Sequence, residues 1–255
     1  MKYFFFGVIL LLNSCYFASN CRQFEWHIPS SKALVYKVVY NHSIELMNDP
    51  SLEELEDIIN KKISNSKQYI VLSQRGDGTI DISLISIVSD ILSLKGANRY
   101  EIIRAEMDKY GNVNPKSARH DFKNLFTIFF HLGCFSKEKG IYKGIDYTPL
   151  NRWNMANTLE YKADNQVKIT QCSRVKCSFS YNFFQSYVGV INNDTIYYNL
   201  RLLAYSDYFL SSKKWEAFYG YIDIYNKNDA KDRKEYIMGL IPTEDDEIVE
   251  LHLNR

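Results

Sequence analysis

The sequence predicts an α+β fold: one large, curved antiparallel β-sheet, half-barrel-like, carrying two principal helices. Three observations lead there. From Val167 onward, alternating apolar runs follow one another, separated by Asn- and Asp-rich turns. Aromatic residues are plentiful, with 20 Tyr and 15 Phe against 11 Gly and 5 Pro, and Tyr favours strands and half-wet positions. Helical periodicity is confined to two stretches.

Taken in order, residues 32–255 read as a single domain. Leu34 to Asn41 alternate as a strand, with Leu34, Tyr36, Val38 and Tyr40 on one face. Ser51 and Glu54 have capping-box spacing and open the first helix, whose apolar face is Leu52, Leu55, Ile59 and Ile63. Gln68 to Gln74 and Thr79 to Ile87 form a hairpin around Arg75-Gly76-Asp77-Gly78, an Asp-Gly turn first and an adhesion triplet only by coincidence of letters. Tyr100 to Met107 is a further strand. Asn114-Pro115 begins the second helix, which presents Ala118, Phe122, Leu125, Phe126, Phe129 and Phe130 and ends at Gly133. Residues 135–160 are polar and Gly-punctuated, so they are expected as a long loop anchored by Trp153. Strands are expected at Val167–Cys172, Cys177–Phe184, Thr195–Tyr205, Trp215–Tyr225, Lys234–Ile241 and Ile248–Leu253, roughly ten in all with the earlier ones.

The N-terminus carries an address. Lys2 precedes an apolar run, Tyr3 to Leu12, too short for a bilayer, which needs about 20 residues. It ends in Leu12-Asn13-Ser14-Cys15, which resembles the lipobox of bacterial lipoproteins. That resemblance implies a signal peptide at 1–14, acylation of Cys15 and a tether over 15–31. It also implies a protein of the bacterial cell envelope, anchored in the outer membrane; plain secretion is the alternative. The order of strand, helix, strands, helix and long meander is similar to the incomplete β-barrel lipoproteins of the lipoprotein-localisation pathway. Asp108-Lys109-Tyr110-Gly111-Asn112-Val113 and Trp153 also look like uncharacterised lipoproteins of this layout. The carriers among them imply the holding of acyl chains.

Five cysteines divide under that reading. Cys172 and Cys177 bracket a short turn between strands, so a hairpin would bridge them. With Cys15 taken by lipid, Cys21 and Cys134 remain as a second pair in an oxidising compartment. Zinc fits poorly, because a five-residue spacing without a nearby His is not a ligand pattern.

Charge is balanced at 31 basic and 30 acidic residues, which leaves no electrostatic footprint for nucleic acid. There is no Gly-x-Ser-x-Gly, no His-Glu-x-x-His and no phosphate-binding glycine loop, so neither an enzyme nor a cofactor nor a metal is expected. The expected function is a non-catalytic binding module for an apolar or lipid-like ligand, with Phe126, Phe130, Tyr219 and Tyr221 lining a cavity. The alternative is an envelope protein–protein interaction factor, for assembly, adhesion or inhibition, that uses an exposed Tyr-rich surface. A closed apolar cavity would favour the first and a packed core with an exposed aromatic patch the second. Ionisable groups clustered in a cleft would revive the enzyme.

Overall fold

A computed structural model describes residues 21–42, 50–89, 98–114, 116–117, 120–138, 141–144, 158–191 and 194–253. The signal segment, Cys15, Ala118 and Trp153 lie outside these residues. Among those described, twelve strands form one antiparallel sheet that does not close: β1 (Cys21–Gln23), β2 (Ala33–His42), β3 (Gln68–Gln74), β4 (Ile80–Ser89), β5 (Asn98–Met107), β6 (Cys134–Glu138), β7 (Ile141–Gly144), β8 (Thr158–Cys172), β9 (Lys176–Ile191), β10 (Asp194–Phe209), β11 (Lys214–Asn226) and β12 (Asp229–Thr243). The helices are α1 (Leu52–Ser64), α2 (His120–Phe130) and α3 (Asp246–Leu253).

The strand order is β1-β6-β7-β8-β9-β10-β11-β12-β2-β3-β4-β5. After β2 the chain meanders out to the β5 edge. It must then return to the opposite end to pair β6 with β1, and α2 makes that return across the inner face. The Phe-rich stripe of α2 is therefore wrapped by the strands. Phe126, Phe129 and Phe130 share one buried cluster with Tyr36 and Val38 of β2, Phe179 and Tyr181 of β9, and Trp215 and Phe218 of β11. Phe129 meets Phe218 edge-on at 5.2 Å, and Phe179 meets Trp215 at 5.5 Å, a geometry that sets a positive ring edge against a negative ring face.

Two indoles finish α2. A helix C-terminus leaves carbonyls without intrahelical partners, and here Trp215 Nε1 donates to Phe129 O at 2.6 Å while Trp26 Nε1 donates to Phe130 O at 2.8 Å. Trp26 belongs to residues 24–28, which run beside the turn after β5. Its backbone N–H donates to Lys109 O at 2.7 Å, and Glu25 pairs with both Lys109 and Lys213. Gly111, at φ +81°, supports that turn; a Cβ there would overlap the Phe130 carbonyl.

The outer face carries the other two helices. The capping box of α1 is formed as expected: Glu54 N–H donates to Ser51 Oγ at 3.2 Å, and Ser51 N–H donates to Glu54 Oε2 at 2.7 Å. Leu55, Ile59 and Ile63 are buried, while Leu52 stays exposed. Ile59 and Ile63 pack on Val39 of β2 and Ile237 of β12. Helix α3 packs on Val35, Val71 and Ile85.

Four expectations need correction. Ile248–Leu253 is helix, not strand, because Asp245 caps it and the buried residues are Ile248 and His252, four apart; so short an apolar run suits either period. The stretch 135–160 contains β6, β7 and the start of β8 instead of a continuous loop. These short strands are held by backbone pairing between β1 and β8, which polar residues do not prevent and which no apolar alternation announces. The second helix starts at His120, and Asn114 instead closes a turn with Lys116 and Ser117. Among the described residues the strands number twelve against the roughly ten expected, with a third helix beside the two principal ones.

Candidate functional site

The strand register builds a polar grid on the outer face. Asn199, Tyr225 and Arg233 form one row across β10, β11 and β12, and Arg201, Asp223 and Glu235 form the next. The row beyond it is Leu203, Tyr221 and Ile237, where the surface turns apolar towards α1. These residues share a face because side chains alternate along a strand and the three strands are in step.

Charge is buried in this grid, Asp223 being 7% exposed and Glu235 1%. Ions are stable there only when paired and hydrogen-bonded. Arg233 supplies both requirements. Its Nε and Nη2 meet Asp223 Oδ1 and Oδ2 at 2.8 and 3.0 Å, and Nη2 also reaches Glu235 Oε1 at 2.9 Å. Tyr221 donates its hydroxyl to the same Glu235 oxygen at 2.6 Å. The hydrogen bonds to Asp223 hold the Arg233 guanidinium in its charged form against the cost of burial, while burial and the Glu235 carboxylate push the Tyr221 phenol up. Alongside, Asn199 Nδ2 donates to Tyr225 Oη at 2.9 Å, and Ser186 Oγ donates to Asn199 Oδ1 at 2.9 Å. Beside this network lies a cleft of about 550 Å³ lined by Asn199, Arg201, Asp223, Tyr225 and Arg233, with Asn226 and Lys227 from the β11–β12 turn. Planar donors and acceptors with little freedom to move are what a hydroxyl- or carboxylate-bearing ligand requires.

A second, smaller cleft of about 260 Å³ lies at the other end of the outer face, lined by Asp81, Ser83, Arg104, Glu106 and His252 among others. His252, at the end of α3, is buried between two hydroxyls: Nε2 lies 2.7 Å from Ser73 Oγ, and Nδ1 lies 2.8 Å from Ser83 Oγ. A neutral imidazole has one N–H and one lone pair, so one serine accepts and the other donates. Asp81 stands directly across from Ser73 on β3, and Arg104 on β5 directly across from Ser83. Arg75 clamps Asp81 with two nitrogens, Nε at 3.0 Å and Nη2 at 2.7 Å, and also pairs with Glu106. The arginine of the Arg-Gly-Asp triplet is thus bound to its own hairpin.

The four residues expected to line one cavity do not come together. Phe126 and Phe130 sit side by side on the inner face, ring centres 6.4 Å apart, both fully buried in the core. Tyr219 and Tyr221 are on the outer face, Tyr219 packed against the cluster that Ile59 and Ile63 of α1 form with the sheet and Tyr221 in the Arg233 network. Cys172 and Cys177 are directly opposite in the β8–β9 hairpin and form a disulfide. Cys134 is disulfide-bonded, and Cys21 lies on the adjacent strand two positions out of register with it; the Cys21 side chain lies outside the described residues. Among the described residues no group of three or more His, Cys, Asp or Glu could hold a metal ion, and no helix is long and apolar enough to cross a membrane.

Glu235, Arg233 and Asn199 were not expected from the sequence. One signal was present: alternation along Lys234–Ile241 puts Glu235 on the same face as Ile237, a carboxylate where packing would use an apolar side chain. Comparison with protein-family models, curated proteins and solved structures gave no match to this chain.

Proposed function

We propose that the chain is a membrane-anchored binding protein of the bacterial cell envelope, held by acyl chains on Cys15, which takes a polar ligand in the outer-face cleft of β10–β12. The observation that carries this reading is the Asp223–Arg233–Glu235 network beside that cleft. Isosteric apolar residues would stabilise the sheet equally well or better, so buried charge at the edge of an open cleft favours recognition over packing. Lys227 and Arg201 add positive charge at the rim, suited to a ligand with an acidic group. The Cys172–Cys177 disulfide fits an oxidising compartment, and the proposed pairing of Cys21 with Cys134 fits it equally.

An apolar ligand beneath the Phe-rich helix has less support, because Phe126 and Phe130 are committed to the protein's own core. The protein-partner reading keeps one observation in its favour: Phe184 and Tyr197 are 42% and 40% exposed on β9 and β10. Native mass spectrometry of the mature chain from its own envelope separates these. A polar adduct lost on denaturation supports the cleft reading. A co-purified protein supports the alternative, and a bound acyl lipid would return the ligand to the interior.

A further inference from the structure

We infer that the smaller cleft at α3 is a hydrolytic site for small esters, in which Ser83 is the nucleophile, His252 its base and Ser73 the positioning residue behind the imidazole. Acyl transfer needs a hydroxyl within hydrogen-bond reach of a base, and that base held in one tautomer by a third group. Here Ser83 Oγ is 2.8 Å from His252 Nδ1, and Ser73 Oγ is 2.7 Å from Nε2. With the Nε2 proton donated to Ser73, the Nδ1 lone pair faces Ser83 and accepts its proton.

A clamp that merely ties α3 to the sheet would need the imidazole and two hydroxyls. It would need neither a cleft of about 260 Å³ lined by Ser83 and His252 nor an arginine across from Ser83. Arg104, on the wall of the same cleft and across the sheet from Ser83, supplies the cation for the carbonyl oxygen as it becomes an oxyanion. Ser83 is 1% exposed, so the cleft admits a slender acyl group and excludes bulky ones.

The chemistry closes without a cofactor. Ser83 Oγ bonds to the ester carbonyl carbon, its proton passes to His252 Nδ1, and the carbonyl electron pair moves to oxygen beside Arg104. That pair re-forms the carbonyl as the bond to the alkoxide breaks, and the alkoxide takes the proton from Nδ1. Water then attacks the acyl-Ser83 ester, gives its proton to His252, and Ser83 leaves and regains it. This inference does not depend on the ligand of the β10–β12 cleft.

Treatment of the folded mature chain with methanesulfonyl fluoride, a serine-labelling reagent slender enough for this cleft, followed by peptide mass mapping, tests it. The expected result is one adduct on Ser83 that does not form in urea. Hydrolysis of p-nitrophenyl acetate should fall about 100-fold in Ser83→Ala, the scale on which positioned acid–base catalysis operates. Ser73→Ala should slow adduct formation and shift the pH midpoint of labelling in a chain that stays folded, and Ser73→Thr should restore both; labelling at the wild-type rate and midpoint in Ser73→Ala overturns the positioning role. A folded wild-type chain that stays unmodified at Ser83, or a Ser83→Ala variant that hydrolyses the ester unchanged, overturns the assignment. The wild-type labelling stands even if a variant fails to fold.

Discussion

The two faces of this sheet satisfy their buried polar groups by different means. On the inner face the buried polar atoms are neutral and are answered by hydrogen bonds: the last carbonyls of α2 take the N–H groups of Trp26 and Trp215, Ser206 donates to the Tyr181 hydroxyl, and Tyr187 donates to Gln185, all within an aromatic and aliphatic cluster. On the outer face, charged groups are buried and answered by each other, as Arg233 does for Asp223 and Glu235. Water is displaced by rings in one case and by ion pairs in the other. The first arrangement is what stability alone would produce. The second costs desolvation that packing does not require, and it is the one beside open clefts.

Substitutions can break this contrast from either side. The largest effect belongs to the inner face: Trp215→Ala removes a fully buried indole together with the donor to Phe129 O, and should cost about 4 kcal/mol in urea unfolding. On the outer face, Arg233→Met leaves Asp223 and Glu235 buried without their cation and should cost about 3 kcal/mol. If Arg233→Met left stability unchanged, the network would be a solvated surface feature and the contrast would fail. Gly239→Ala sharpens it further, since a Cβ there would overlap Ile59 of α1. Over-packing of this kind costs about 2 kcal/mol, and amide exchange in α1 should rise while that in α2 does not.

Reduction of Cys172–Cys177 should lower stability by about 2 kcal/mol, small because the closed loop is short. The smallest effect is that of Glu25, whose carboxyl is held below its ordinary value by hydrogen bonds from Lys213 and then Lys109. A depressed folded value means that its contribution is present above the unfolded pKa of 4.5 and is lost as pH falls through the lowered one. The group is a third exposed, so screening keeps the effect under about 1 kcal/mol. Glu25→Gln should lower neutral stability by that same amount, under about 1 kcal/mol, and converge with the wild type as pH falls well below 4.5, so that the acid limb is flatter.

Most of the secondary structure was legible in the sequence because its signals are local. The capping box at Ser51, the Asp-Gly turn before Thr79 and the alternating Tyr-rich strands each depend on neighbours within a few residues. The Phe stripe of α2 was read correctly as an apolar face, but the sequence could not distinguish a lining from a filling. That depends on the return from β5 to β6, which threads the helix through the interior. The outer sites were hidden for the same reason. Arg201, Asp223 and Glu235 meet only through strand register, and Ser73, Ser83 and His252 meet only because the last eight-residue run is a helix laid over β3. That run has apolar residues enough for either structure, and its period was misread.

The central claim is that the ligand belongs to the outer face. The most direct measurement is ligand retention by native mass spectrometry in two variants beside the wild type, Lys227→Glu at the outer cleft and Phe126→Leu in the core. Lys227→Glu should lose the adduct while Phe126→Leu, though less stable, should keep it. Loss in Phe126→Leu with full retention in Lys227→Glu would contradict it and move the ligand to the interior.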